Sequence, residues 1–334
     1  MSALQAVHLL DDLSFGGVTR ALSIFEHGDL ARRIDSRVQA VNPADRIAPA
    51  LDADMIVLHF SPRWNALPFL ASLRLRNRRA RIVHIEHSYT RAWADTHVAK
   101  PRRFRAMLRL WWQGCDAVVA VSHGQRAWLE DFAGLRGLRV IEPWSGVSGL
   151  DAVPALSPDA AAPLTLAAYG RFARQKGFDT LIEAMRHLRG QPVTLLLGGF
   201  GEDEAMLRKL ARGMDTVRFM GKVEDVGAFL ARADVVVVPS RWEAFGQVAA
   251  ESKMAGRPVL LADVDGLPEQ AVTPGWIADC SSAQALADAI ARIDRKELVQ
   301  TGTRNRAAMV GAQFHRVAGW LALIEDLLPV RQAA

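Results

Sequence analysis

The chain has 334 residues, half of them apolar and 23% charged, a globular composition far from that of a disordered segment and a length suited to two domains of roughly 150 residues each. Its two cysteines, Cys115 and Cys280, lie far apart with no C-x-x-C or Cys/His ligand spacing, which excludes a disulfide framework or zinc site and fits a reducing cytosol. Against a net charge of only +5, there is no basic leader followed by an apolar core and no apolar run near the roughly 18 residues of a spanning helix, so a cytoplasmic protein is expected.

Short runs rich in Val, Ile and Leu alternate with helical patterns from one end to the other. In the first half Ala6 to Leu10, Met55 to His59, Arg81 to His87 and Asp116 to Val121 read as buried parallel strands. After the first of them comes Phe15-Gly16-Gly17-Val18-Thr19-Arg20, leading into a helix expected from about Thr19 to Leu30. Paired glycines there either expose backbone amides to an anion or simply make a tight turn.

Residues 63 to 109 carry twelve Lys or Arg against only Glu86 and Asp95, so the basicity is local and the remainder of the chain is net acidic. That pattern points to a surface for anions rather than to a nucleic-acid binder. Within it Phe104, Met107, Leu108, Trp111 and Trp112 follow helical spacing, with Arg102, Arg105 and Arg109 on the opposite side. Two readings stand: a core helix with solvated arginines, or, with Arg74, Arg76, Arg78 and Arg79, a face held on an anionic membrane leaflet. The run His84-Ile85-Glu86-His87-Ser88 closes one of the strands, and alternation points His84 and His87 to opposite faces, which disfavours a joint metal site.

A stretch from Gly146 to Pro163, rich in Pro, Ser, Ala and Asp, reads as the linker. The expected division is 1–155 and 156–314, with a C-terminal helix over 315–334 returning to the first domain. Strands resume at Leu164 to Tyr169, Val193 to Leu197, Val217 to Met220, Asp234 to Pro239 and Pro258 to Ala262. The fold class is α/β: two Rossmann-like, doubly wound domains expected to face a central cleft that holds the site.

Two segments carry the chemistry. In Tyr169-Gly170-Arg171-Phe172-Ala173-Arg174-Gln175-Lys176-Gly177-Phe178, Gly170 is expected to end a strand, and Arg171 and Lys176 then offer a planar fork and a point charge from one loop, suited to a diphosphate. In Ser240-Arg241-Trp242-Glu243-Ala244-Phe245-Gly246-Gln247, continuing to Glu251, Phe245 and Gly246 begin a helix whose positive end suits the same group. Glu243 sits at the loop tip, and Glu251, two turns along, can accept from vicinal hydroxyls such as those of a ribose.

Together these segments resemble the family-4 retaining glycosyltransferases of the GT-B fold, group 1, over essentially all of residues 164 to 279. The resemblance implies that Glu243 and Glu251 contact the donor sugar and ribose, that Arg171 and Lys176 hold the diphosphate with Phe245, Gly246 and Gln247 at the helix start, and that Gly16 and Gly17 close over it. It also implies that Gly221 and Val223 border the nucleobase and that a histidine after an N-domain strand reaches the donor sugar; His87 fits, with His84 competing. Where the family has Asn-Gly-Val before the linker this chain has Trp144-Ser145-Gly146-Val147, and its N-terminal half is short, so the acceptor side does not transfer from the family.

The function so implied is retaining transfer of a hexose from a UDP- or GDP-sugar to a hydroxyl of a lipid-linked, envelope or exopolysaccharide acceptor. The donor is a substrate, no cofactor is required, and no metal is expected because Arg171 and Lys176 supply the charge. The expected partners are the donor, the acceptor and an anionic membrane surface on the inner face of the plasma membrane; nucleic acid is not among them. A dehydrogenase fits less well, since Gly199-Phe200-Gly201 places Glu204 where G-x-G-x-x-G needs its last glycine, and no P-loop occurs. A catalytically silent GT-B binding protein and a sugar-nucleotide epimerase are the alternatives.

Overall fold

The computed structural model describes residues 3–13, 16–159 and 161–329. The chain divides into two compact units, Met1–Gly146 with Gly311–Ala334, and Val147–Val310. The first contains the strands β1 (Leu4–Leu10), β2 (Ile34–Ala40), β3 (Met55–Leu58), β4 (Arg81–Glu86), β5 (Ala117–Ala120) and β6 (Arg139–Val140), in the order β2-β1-β3-β4-β5-β6. The second contains β7 (Leu164–Arg171), β8 (Val193–Phe200), β9 (Val217–Gly221), β10 (Val235–Val238), β11 (Val259–Ala262) and β12 (Ile277–Ala278), in the order β12-β11-β10-β7-β8-β9. Every pairing in both sheets is parallel.

Parallel strands must be covered on both faces, and β7 shows how its residues divide. Leu164, Leu166 and Ala168 pack with Phe172, Phe178, Leu181 and Ile182, whereas Ala167 and Tyr169 pack on the other side with Phe229, Ala249 and Leu267. In the first unit the helix Pro101–Gln113 buries Met107, Leu108, Trp111 and Trp112 in the core under the sheet, with Phe104 partly buried beside them. Its spacing is that of a core helix.

Three features differ from the sequence expectation. The helix expected from Thr19 to Leu30 is broken into Gly17–Ala21, a 3-10 turn Leu22–Glu26 and Gly28–Arg33, with His27 extended at the break and Gly28 at φ +54° opening the next helix. The edge strands β2, β6 and β12 were not anticipated. The division falls at Gly146/Val147 rather than 155/156, since Leu150 and Val153 are buried in the core of the second unit. Arginines of that unit also hold the carbonyls that follow: Arg306 donates to Val153 (2.6 Å), Arg257 to Pro154 (3.0 Å) and Arg295 to Asp159 and Ala162 (2.7 and 2.9 Å).

The C-terminal helix is Ala312–Leu327, beginning three residues before the expected 315; residues 330–334 lie outside those described. Its Arg316 pairs with Glu142 (2.5 Å) and donates to the Pro143 carbonyl, and its Trp320 packs on Phe25.

Candidate functional site

In the second sheet the connections leave β7 and β10 in opposite directions, so these two neighbours mark the topological switch point where ligands of such sheets bind, beyond the carboxyl ends of the strands. Both predicted segments emerge there. They are fastened to each other by the backbone N–H of Arg241 donating to the Gln175 carbonyl (2.7 Å) and the Gln175 amide donating to the Trp242 carbonyl (3.0 Å). The Arg241 guanidinium forms a bidentate pair with Asp179 (2.9 and 2.8 Å) and also reaches Thr180 and the Arg174 carbonyl. Gly177 lies against the end of β10: its φ is +64°, and a Cβ there would stand 2.2 Å from the Pro239 carbonyl oxygen.

This interlock sets Lys176 Nζ 2.5 Å from Glu243 Oε2, with both side chains largely covered and the Ser240 hydroxyl 3.3 Å from the same oxygen. Asp265, held at φ +49°, accepts from the Glu243 backbone N–H (3.0 Å). The structure does not join Arg171 to Lys176 in one loop. Pairing of β7 with β8 continues through Gly170 and Arg171, so Gly170 does not end the strand, and Arg171 projects from its tip, exposed, to Glu202 (3.1 Å).

The following helix is Gln247–Met254, capped by Gly246 at φ +90°, so it begins just after the expected Phe245 and Gly246. A Cβ at Gly246 would lie 2.5 Å from Leu267, and the Gln270 amide donates to the carbonyls of Phe245 and Gly246 (2.7 and 2.9 Å). Glu251 is fully buried and accepts from the Tyr169 hydroxyl (2.7 Å). Gly221 ends β9 at φ +68° with open space around its α-carbon, and Val223 packs over Gly198. Tyr169, Gln270 and Asp265 were not assigned roles from sequence; alternation along β7 puts Tyr169 on the face opposite Leu164, Leu166 and Ala168, the face on which Ala249 of the Glu251 helix packs.

In the first unit, Phe15 lies outside the described residues. The Gly16 N–H donates to the Thr19 hydroxyl (2.9 Å), which donates back to the Gly16 carbonyl (3.0 Å), and Gly17 opens the first helical turn. Gly16 is extended, and its amide serves this local cap rather than an open anion nest. His87 follows β4, half-buried, and borders a pocket together with His59, Ile85, Val121, Trp144 and Trp320. His84 is instead fully buried against the edge of Trp111, its Nε2 3.4 Å from Glu86. Burial lowers the His87 imidazole to about 4, against the opposing pull of Glu86.

Among the described residues no group of three or more His, Cys, Asp or Glu is arranged to hold a metal ion. Two D-x-D spacings do occur, Asp52-Ala53-Asp54 and Asp263-Val264-Asp265, and both have structural employment: Asp54 accepts from the Gln5 N–H (2.8 Å) and Asp265 from that of Glu243. The basic segment is partly committed as well. Arg74 forms a bidentate pair with Asp116 (2.6 and 2.9 Å), and Arg109, though exposed, donates to the Ala133 carbonyl (2.5 Å), so both carry structural hydrogen bonds. Arg76, Arg78, Arg79, Arg102 and Arg105 are exposed, with Leu75, Leu110 and Trp64 exposed among them.

Comparison with known proteins bears on family and fold. The family model described as Glycosyl transferases group 1 matches residues 163–295, and that described as Glycosyltransferase Family 4 matches residues 21–144. A lipopolysaccharide core biosynthesis glycosyltransferase of Rhizobium meliloti is 34% identical over 62% of this chain and 63% of its own length. A phosphatidyl-myo-inositol mannosyltransferase of Mycobacterium leprae is 29% identical over 84% of this chain and 74% of its own. The chain thus spans somewhat less than two thirds of the first relative. The Anabaena protein HepE, solved with UDP and glucose, superposes with a TM-score of 0.74 at 18% identity, covering 98% of this chain and all of that one, a likeness of fold.

Proposed function

Because the chain belongs to the group 1, family-4 glycosyltransferases and has their GT-B fold, we propose that it transfers a hexose, with retention, from a nucleoside-diphosphate sugar of the UDP or GDP type to a hydroxyl of an envelope or lipid-linked glycan. The observation that carries this reading is the Lys176–Glu243 contact at the β7/β10 switch point, which puts a cation and a carboxylate beside the positive end of the helix Gln247–Met254.

Each residue then has a task. Lys176 and the helix terminus stabilise the charge that develops on the departing diphosphate, a preorganised electrostatic effect that needs no rearrangement during reaction. Arg171 joins them by giving up Glu202, an exposed, solvent-screened partner that costs little to lose. Glu243, released from Lys176 as the phosphates arrive, accepts from hydroxyls of the donor sugar, while Glu251, oriented by Tyr169, serves the ribose. Gly221 and Val223 border the base, and His87 meets the sugar. Charge neutralisation is assigned to Lys176 and Arg171 rather than to a divalent ion, so turnover is expected to survive a chelator.

No described helix is long and apolar enough to cross a membrane. The exposed arginines at 76, 78, 79, 102 and 105, interleaved with Leu75 and Leu110, support peripheral attachment to an anionic leaflet, where lipid-linked acceptors reside. Hydrolysis of a panel of UDP- and GDP-sugars without acceptor, with the anomer of the released sugar followed by NMR, tests the assignment. Release of one sugar in its original configuration is expected. Nucleotide binding without turnover of any donor would instead identify a silent binding protein.

A further inference from the structure

Three neighbouring strands of the first sheet, β1, β3 and β4, each deliver a histidine to one line of contacts. His8 Nδ1 lies 2.9 Å from His59 Nε2, and His59 Nδ1 lies 3.1 Å from His87 Nε2, with the rings of His59 and His87 stacked at 5.3 Å. The two ends of the line differ. His87 is half-buried and borders the pocket, whereas His8 is buried against the Phe25 ring (4.5 Å), itself backed by Trp320, and its Nε2 has no hydrogen-bond partner among the described residues.

A neutral imidazole has one N–H and one bare nitrogen, so two linked contacts permit only two arrangements, with all the protons displaced toward His8 or all toward His87. Burial keeps the three rings neutral at pH 7, lowering His8 to about 3 and His87 to about 4, and His59 is pushed well below its ordinary value. Displacement toward His8 would leave a buried Nε2–H donor with no acceptor among the described residues. Displacement toward His87 leaves only a bare nitrogen there and turns the surplus N–H to the pocket, where a ligand or water accepts it. An orphaned buried N–H is the rarer and costlier defect, so the second arrangement prevails.

We propose that His8 and His59 are positioning residues that fix His87 as its Nδ1–H tautomer, so that it presents a neutral hydrogen-bond donor to an oxygen of the sugar substrate. Such a group is not a general base, because the nitrogen that faces the pocket already holds its proton. The sugar as the group met by His87 rests on the function proposed above; the tautomer does not.

The experiment is a long-range 15N–1H correlation spectrum of the full chain with 15N-labelled histidine at pH 7, the three signals assigned by single His→Gln substitutions. Free histidine carries its proton mainly on Nε2. The expected result is the opposite pattern at all three positions: protonated Nδ1 and bare Nε2 at His8, His59 and His87. Protonated Nε2 at His59 and His87, or a doubly protonated ring at either, would overturn the inference. A correct tautomer in a protein that turns over no sugar nucleotide would count against the proposed function alone.

Discussion

Replacing Gly177 by alanine tests whether the two predicted segments are interlocked as described. An alanine at φ +64° bears the left-handed strain of about 1–2 kcal/mol common to any L-residue. Its Cβ would also stand 2.2 Å from the Pro239 carbonyl oxygen, a backbone atom at the end of β10, so relief requires a shift of main chain, at a further cost of about 1–3 kcal/mol. Gly213 supplies the control, since its φ is +75° and a Cβ there meets nothing within 4 Å. Urea unfolding should therefore show Gly177→Ala losing about 2–5 kcal/mol and Gly213→Ala about 1–2 kcal/mol, with a falling midpoint and an unchanged slope in both. Donor turnover should fall only in the first, because moving that loop separates Lys176 from Glu243. Equal destabilisation by the two substitutions would refute the packing of Gly177 on Pro239.

Other consequences follow from the same contacts. Arg241→Ala removes the bidentate partner of Asp179, whose carboxyl burial would raise but which the Arg241 hydrogen bonds and charge hold below its ordinary value. Since that pair is about a third exposed, a loss of about 1–2 kcal/mol is expected at pH 7 by urea unfolding, shrinking as the pH falls below the unfolded Asp value near 4. The buried histidines act in a higher window: their folded values lie below the unfolded value of about 6.5, so the unfolded chain binds the extra protons and stability drops as the pH falls from there toward 4. His8→Phe should flatten that slope in pH-dependent thermal melts, and an unchanged slope would count against a neutral buried His8. On the basic face, wild type should sediment with anionic but not neutral vesicles in a salt-sensitive manner, and Arg78→Glu with Arg79→Glu and Arg102→Glu should abolish it. Arg74 and Arg109 are left in place, since they hold Asp116 and the Ala133 carbonyl.

What could be read from sequence followed how locally each feature is encoded. Strands buried on both faces, such as Val235–Val238, announce themselves as unbroken apolar runs, and Phe104 to Trp112 carries its own period. The edge strand Ile34–Ala40 does not, since it pairs on one side only and alternates exposed polar residues with its few apolar ones. In the site, the residue types and their spacing within each segment were legible, but partners across the fold were not. Lys176 and Glu243 lie 67 positions apart and meet only because the order of strands sets β7 beside β10, and the same registry draws Arg171 away to Glu202. The line from His8 through His59 to His87 is likewise a product of strand order: His87 stood out after its strand, but nothing local tied it to His8 or His59.

The central claim is that Lys176 and Glu243 form the heart of a donor-sugar site, and steady-state turnover of the preferred UDP- or GDP-sugar measures it most directly. Lys176→Ala and Glu243→Ala, each checked for native folding, should each lower kcat/KM by about 10²–10³, the usual consequence of removing one preorganised group that stabilises developing charge. Near-normal turnover in both variants would contradict the assignment.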